Sequence, residues 1–135
     1  MKRTLFLFLS ALCLILCATS CSSTRRSRVS FHSLDAETFG RFIQQDDVYV
    51  VDVRTPEEHA AGAIEGTDEN LDVRSANFFK EFKRLPQDKT IALYCKGGGR
   101  SKQVAGVLAG NGYKVVELSV GYDGWVKHHA EQQDK

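Results

Sequence analysis

At 135 residues, 42% of them hydrophobic and 26% charged, the chain has room for one ordinary domain and the composition of a packed one, which excludes disorder throughout. Its formal charge is +1, but Lys2, Arg3, Arg25, Arg26 and Arg28 supply the excess, and from Ser30 onward 13 basic residues face 17 acidic ones. A mildly acidic domain lacks the basic face of a nucleic-acid binder, so no nucleic-acid partner is expected.

Lys2 and Arg3 precede an apolar run, Leu5 to Cys17, which gives way to the small residues Ala18, Thr19 and Ser20 before Cys21. That layout is expected of a signal peptide over residues 1–20 and marks the chain for export. The run is too short for a comfortable spanning helix. Cys21 after three small residues resembles the lipobox of bacterial lipoproteins, with Ala18 in place of the usual Leu. The resemblance implies acylation of Cys21, a lipid-anchored tether over residues 21–30, and a place on the periplasmic side of the cell envelope. Arg25, Arg26 and Arg28 would then lie near anionic headgroups. Cys13 and Cys17 would leave with the signal, so Cys95 alone remains and no intramolecular disulfide is expected.

The folded part opens with a short edge strand expected at Val29 to Phe31, and Ser33 is placed to cap a helix through Phe39, Phe42 and Ile43. Val48 to Val53 is an apolar, β-branched run with little alternation, as in strands buried on both faces of a parallel sheet. Thr55-Pro56-Glu57-Glu58 supplies a cap, a proline for the first helical position and a glutamate to close a capping box, and the helix should stop near Gly62. A polar loop over Gly66 to Asn70 and a brief strand over Leu71 to Val73 are expected next. Phe78, Phe82 and Leu85 recur at helical spacing until Pro86. Thr90 to Tyr94 reads as another buried strand, Ser101 to Asn111 as a helix ended by Gly110 or Gly112, Lys114 to Leu118 as the last strand, and the segment after Gly121 as a polar helix fraying from Glu131. Strands alternating with helices predict an α/β fold: a mostly parallel sheet of about five strands with helices on both faces.

Ligands of such sheets bind beyond the carboxyl ends of the strands, and Cys95 lies at one of those ends. Lys96, Gly97, Gly98, Gly99, Arg100 and Ser101 follow it. Three glycines allow positive φ and bring N–H groups close to whatever sits over the sulfur, the next helix adds its positive end, and Lys96 and Arg100 add cations. These conditions favour an anion and a reactive thiolate, so Cys95 is the candidate nucleophile and residues 96 to 101 its binding loop. The alternative reading is an inert buried cysteine beside a flexible turn. Asp52 and Arg54, at the end of a buried strand, are expected to pair and support the loop structurally.

Four segments in order carry a family resemblance: Val51-Asp52-Val53-Arg54 with Thr55-Pro56-Glu57-Glu58, then His59 to Gly66, the Cys95 loop, and Gly121 to Trp125. Over roughly residues 31–132 the chain resembles the rhodanese-like domains, with residues 133–135 as a frayed tail. Val120 stands where the family often has a glycine. The resemblance implies a sulfurtransferase in which Cys95 takes the outer sulfur of a small anionic donor such as thiosulfate, holds it as a persulfide, and passes it to a thiol or cyanide acceptor. A persulfide carrier or docking module is the alternative. A cysteine phosphatase or arsenate reductase is disfavoured, since such enzymes resemble a pattern with five residues between Cys and Arg and here there are four. No cofactor and no metal is expected: His32, His59, His128 and His129 lack zinc-ligand spacing. Tyr122 and Trp125 read as core and rim packing.

Overall fold

A computed structural model describes residues 30–134. The expected signal segment, the acylated Cys21 and the tether up to residue 29 lie outside the described residues. Five strands alternate with helices: β1 (His32–Leu34), α1 (Ala36–Phe42), β2 (Val48–Asp52), α2 (Pro56–Ala60), β3 (Glu69–Asn70), α3 (Phe78–Glu81, continued by a 3-10 turn over Phe82–Arg84), β4 (Thr90–Tyr94), α4 (Gly99–Gly110), β5 (Lys114–Leu118) and α5 (Gly121–Gln133). The sheet order is β1-β5-β4-β2-β3 and every pairing is parallel.

Parallel strands need helical crossovers, and these bury both faces of the sheet. On one face α3 and α4 cover Val51, Leu93 and Val115, with Phe78, Phe82, Val104 and Leu108 among the packed side chains. On the other, Phe39 of α1 joins Val50, Ala92, Tyr94 and Leu118, with Trp125 of α5 against it at 6.2 Å between ring centroids. The expected sheet and its helix layers are therefore present.

Three boundaries differ from expectation. The edge strand is His32–Leu34, not Val29 to Phe31, since register with Val116–Leu118 decides the pairing and an edge strand tolerates the exposed His32 and Ser33. Asp35, not Ser33, caps α1, its Oδ1 accepting the Thr38 N–H at 2.7 Å. The strand expected at Leu71 to Val73 is instead the polar pair Glu69–Asn70 beside Val51 and Asp52. Leu71 is buried, but its apolar character reports core contact and not ladder pairing. In addition α4 begins at Gly99, two residues before Ser101, and α5 stays helical through Gln133.

Candidate active site

β2 and β4 lie side by side at the centre of the sheet, and their carboxyl ends deliver the two motifs that sequence singles out, Asp52 to Arg54 and Cys95 to Ser101. Cys95 directly follows β4, is 1% exposed, and is the one free cysteine among the described residues. Its Sγ accepts the Gly98 N–H at 3.2 Å and lies 3.5 Å from the Ser101 hydroxyl. The loop then runs straight into α4, and the N–H groups of Gly99, Arg100 and Ser101 have no acceptor among the described residues. Such a helix end is a ready site for negative charge.

The three glycines divide by role. Gly98 is the only one of them at positive φ, +88°, and a Cβ there would overlap the Ser119 carbonyl. The loop needs glycine at that position to fold at all. Gly97 and Gly99 are exposed, with nothing within 4 Å of a Cβ built on either, so they leave open space over the loop. Gly121 at φ +63° is a fourth close approach: a side chain there would strike the Lys96 carbonyl. From the same end of α5, the N–H of Tyr122 donates to the Cys95 carbonyl at 2.7 Å and that of Asp123 to the Lys96 carbonyl at 3.0 Å, which braces the loop from behind.

Arg100 is not a free cation. Its guanidinium grips Glu58 of α2 through two hydrogen bonds, 2.8 and 2.7 Å, both side chains being about a quarter exposed. Glu58 also accepts the Thr55 N–H at 3.1 Å, so the glutamate of the capping box doubles as the arginine's partner. Hydrogen bonding to Arg100 holds the Glu58 carboxyl down at about 2, and the same bond raises Arg100 further. Lys96 is exposed and is the loop's unpaired cation among the described residues.

Asp52 and Arg54 pair as expected, fully inside the protein. Arg54 Nε and Nη2 donate to Asp52 at 2.7 to 3.0 Å, and Nη2 also donates to the Gly62 carbonyl at 2.6 Å. The guanidinium carbon lies 4.2 Å from the Tyr122 ring centroid and 5.4 Å from that of Tyr94. Burial works against the Arg54 charge, but the Asp52 carboxylate outweighs it and the group is raised overall. His59 Nδ1 lies 2.9 Å from Asp52 Oδ2, and Asn70 Nδ2 donates to the carbonyls of Asp52 and Arg54. His59, Asn70 and Tyr122 are participants that spacing along the chain does not single out. Among the described residues no cluster of metal-ligating side chains occurs.

A cleft of about 800 Å³ lies elsewhere, between α1 and α5, bordered by Glu37, Arg41, Trp125 and His128. It holds no nucleophile and does not reach Cys95. Chemistry therefore points to the loop and not to this cleft.

Comparison with known proteins identifies the family. Residues 35–128 match the rhodanese-like domain family. A sulfurtransferase of Allochromatium vinosum is 31% identical over 99 residues, covering 72% of this chain and 90% of the relative. A tRNA uridine(34) hydroxylase of Acinetobacter baumannii is 35% identical over 91 residues, but the match spans 63% of this chain and only 28% of that enzyme. Among solved structures, a rhodanese-related protein from Thermoplasma volcanium superposes with a TM-score of 0.65 at 26% identity, covering 73% of this chain and 93% of the other. With this match, the parallel sheet and the thiol at its carboxyl edge, the chain belongs to the rhodanese-like domain family and has sulfurtransferases among its relatives.

Proposed function

We propose that the protein is a sulfurtransferase that carries sulfane sulfur on Cys95. The Cys95 thiolate attacks the outer sulfur of a small anionic donor of the thiosulfate class; a new S–S bond forms, the donor's S–S bond breaks, and its electron pair leaves on sulfite. A thiol or cyanide then attacks the outer sulfur of the Cys95 persulfide and returns the thiolate. The observation that carries this reading is the Gly98 N–H on Sγ at 3.2 Å, backed by the open N–H groups of Gly99, Arg100 and Ser101. Preorganised donors of this kind stabilise charge where it develops, for a few kcal/mol each. Lys96 draws the anion in, the open space above Gly97 and Gly99 admits it, and the Arg100–Glu58 pair fixes the mouth.

The test is mass spectrometry of the reduced full chain after incubation with thiosulfate: one sulfur atom gained on Cys95 is expected, and none in Cys95→Ser. Absence of the adduct overturns the reading. The near-complete cover of Cys95 favours a second one, a persulfide carrier that hands its sulfur only to a partner protein. In that case an adduct forms but cyanide does not turn it over.

We further propose that residues 1–20 direct export and that a lipid on Cys21 holds the domain at the periplasmic side of a membrane. Incorporation of labelled palmitate into the wild type and its loss in Cys21→Ser is the expected result.

A further inference from the structure

Glu58 sits on α2 beside the thiol loop and turns its carboxylate onto Arg100 in a two-bond fork of 2.8 and 2.7 Å. Arg100 lies in the first turn of α4, close enough to Cys95 for the two charges to act on each other. A free guanidinium there would add a full positive charge to the anion site. The fork cancels it, and Lys96 remains the loop's unpaired cation among the described residues. The capping box does not by itself demand a charge at this position: the Thr55 N–H needs one acceptor, and a glutamine side chain supplies one as a carboxylate does.

Attack on a sulfane sulfur runs along the line of the breaking bond, so the leaving group points away from Cys95 Sγ. Cys95 is 1% exposed, and the leaving group therefore lies on the solvent side of the loop, where Arg100 and Glu58 meet. Thiosulfate brings two negative charges to that mouth. An organic thiosulfonate, with the same transferable sulfur, brings one. We propose that Glu58 is a specificity-determining residue: by neutralising Arg100 it disfavours the doubly charged donor relative to the singly charged one. This rests on the sulfurtransferase reading of Cys95 and names the donor class for which the site is charged, a sulfane sulfur carried on a single negative charge. With either donor the Cys95 thiolate forms an S–S bond to the outer sulfur, the donor's own S–S bond breaks, and the electron pair leaves on sulfite or on the sulfinate. The other charges near the mouth are the same for both donors: Arg74 acts on Glu58 from the segment after β3, Asp52 is held by Arg54, and Glu57 and Lys96 are exposed.

The test follows, by mass spectrometry of the reduced full chain at neutral pH, the second-order rate at which Cys95 gains a sulfur atom from thiosulfate and from methanethiosulfonate. The ratio of the two rates is the readout, because a substitution that only disturbs the fold or the thiol slows both donors together. Glu58→Gln is expected to raise the thiosulfate-to-thiosulfonate ratio about three- to tenfold at low ionic strength, and less at high salt. Arg100→Gln leaves the carboxylate without its cation and is expected to lower the ratio by a similar factor, and the double variant to return it to the wild-type value. An unmoved ratio in Glu58→Gln, or a double variant that stays displaced, overturns the proposal. Should Glu58→Gln not fold, Arg100→Gln decides alone, and a ratio that does not fall overturns it. No adduct from either donor overturns the sulfurtransferase reading and this proposal with it, whereas adducts at an unmoved ratio remove the proposal and leave that reading standing.

Discussion

The molecule holds two arginine–carboxylate pairs near its thiol, and they do different work. Arg54 and Asp52 are 4% and 0% exposed, and besides each other they engage the Gly62 carbonyl, the Arg54 backbone N–H and the His59 ring. Arg100 and Glu58 form as good a fork, but at the surface, 22% and 27% exposed. Geometry alone would rank them equal. Burial separates them, because a charge inside the protein has no water to fall back on when its partner is lost, while one at the rim does. The first pair therefore ties the end of β2 to Gly62 and His59; the second sets how the mouth of the loop is charged.

Breaking the pairs one at a time tests that division. Arg54→Ala leaves Asp52 buried without its counter-charge and is expected to lose about 3–5 kcal/mol, read as a fall in the urea midpoint. Arg54→Lys keeps the charge but not the fork or the stacking on Tyr122, and should recover only part of it. The glycines of the loop offer a parallel contrast. Gly98→Ala puts a side chain at φ +88° against the Ser119 carbonyl and is expected to cost about 2 kcal/mol or more and to slow Cys95 alkylation. Gly97→Ala meets open space and should stay within about 0.5 kcal/mol of the wild type. Equal losses at the two positions would show that the loop is merely flexible.

What was legible in the sequence was what local chemistry decides. The capping box at Thr55 and Glu58, the apolar runs of β2, β4 and β5, and the placing of a thiol between a strand end and a helix are each written in a few consecutive residues. The partners of those residues were not. Glu58 and Arg100 are 42 positions apart, and nothing in either segment says that the capping glutamate will neutralise the loop arginine. Glu117 follows two buried valines in β5, and only the fold shows that it lies beside Ser101. The three loop glycines look alike on paper, yet only the path of β5 at Ser119 makes Gly98 different from its neighbours. Short strands failed for the same reason: Glu69–Asn70 pairs because Asp52 and Val51 lie beside it, not because of its own composition.

An effect of about 1 kcal/mol is also the sharpest probe of the rim pair. Glu58 has its folded-state value depressed to about 2 from an ordinary 4.5, by the hydrogen bond to Arg100 first, opposed by burial and helped by the Thr55 N–H. A depressed carboxyl stabilises the folded state wherever it is ionised in both states, above about 4.5, and loses that contribution as pH falls through 4.5 toward 2. At this exposure the pair is worth about 1 kcal/mol, and less in high salt. Stability curves of the wild type and Glu58→Gln, taken by urea unfolding between pH 7 and 2, should therefore be separated by about that amount at neutral pH and draw together in acid. Curves that stay parallel down to pH 2 would mean that Arg100 gains nothing from Glu58. The arginine would then be a free cation at the mouth of the thiol loop, and the contrast between the buried pair and the exposed one would have to be drawn from the buried pair alone.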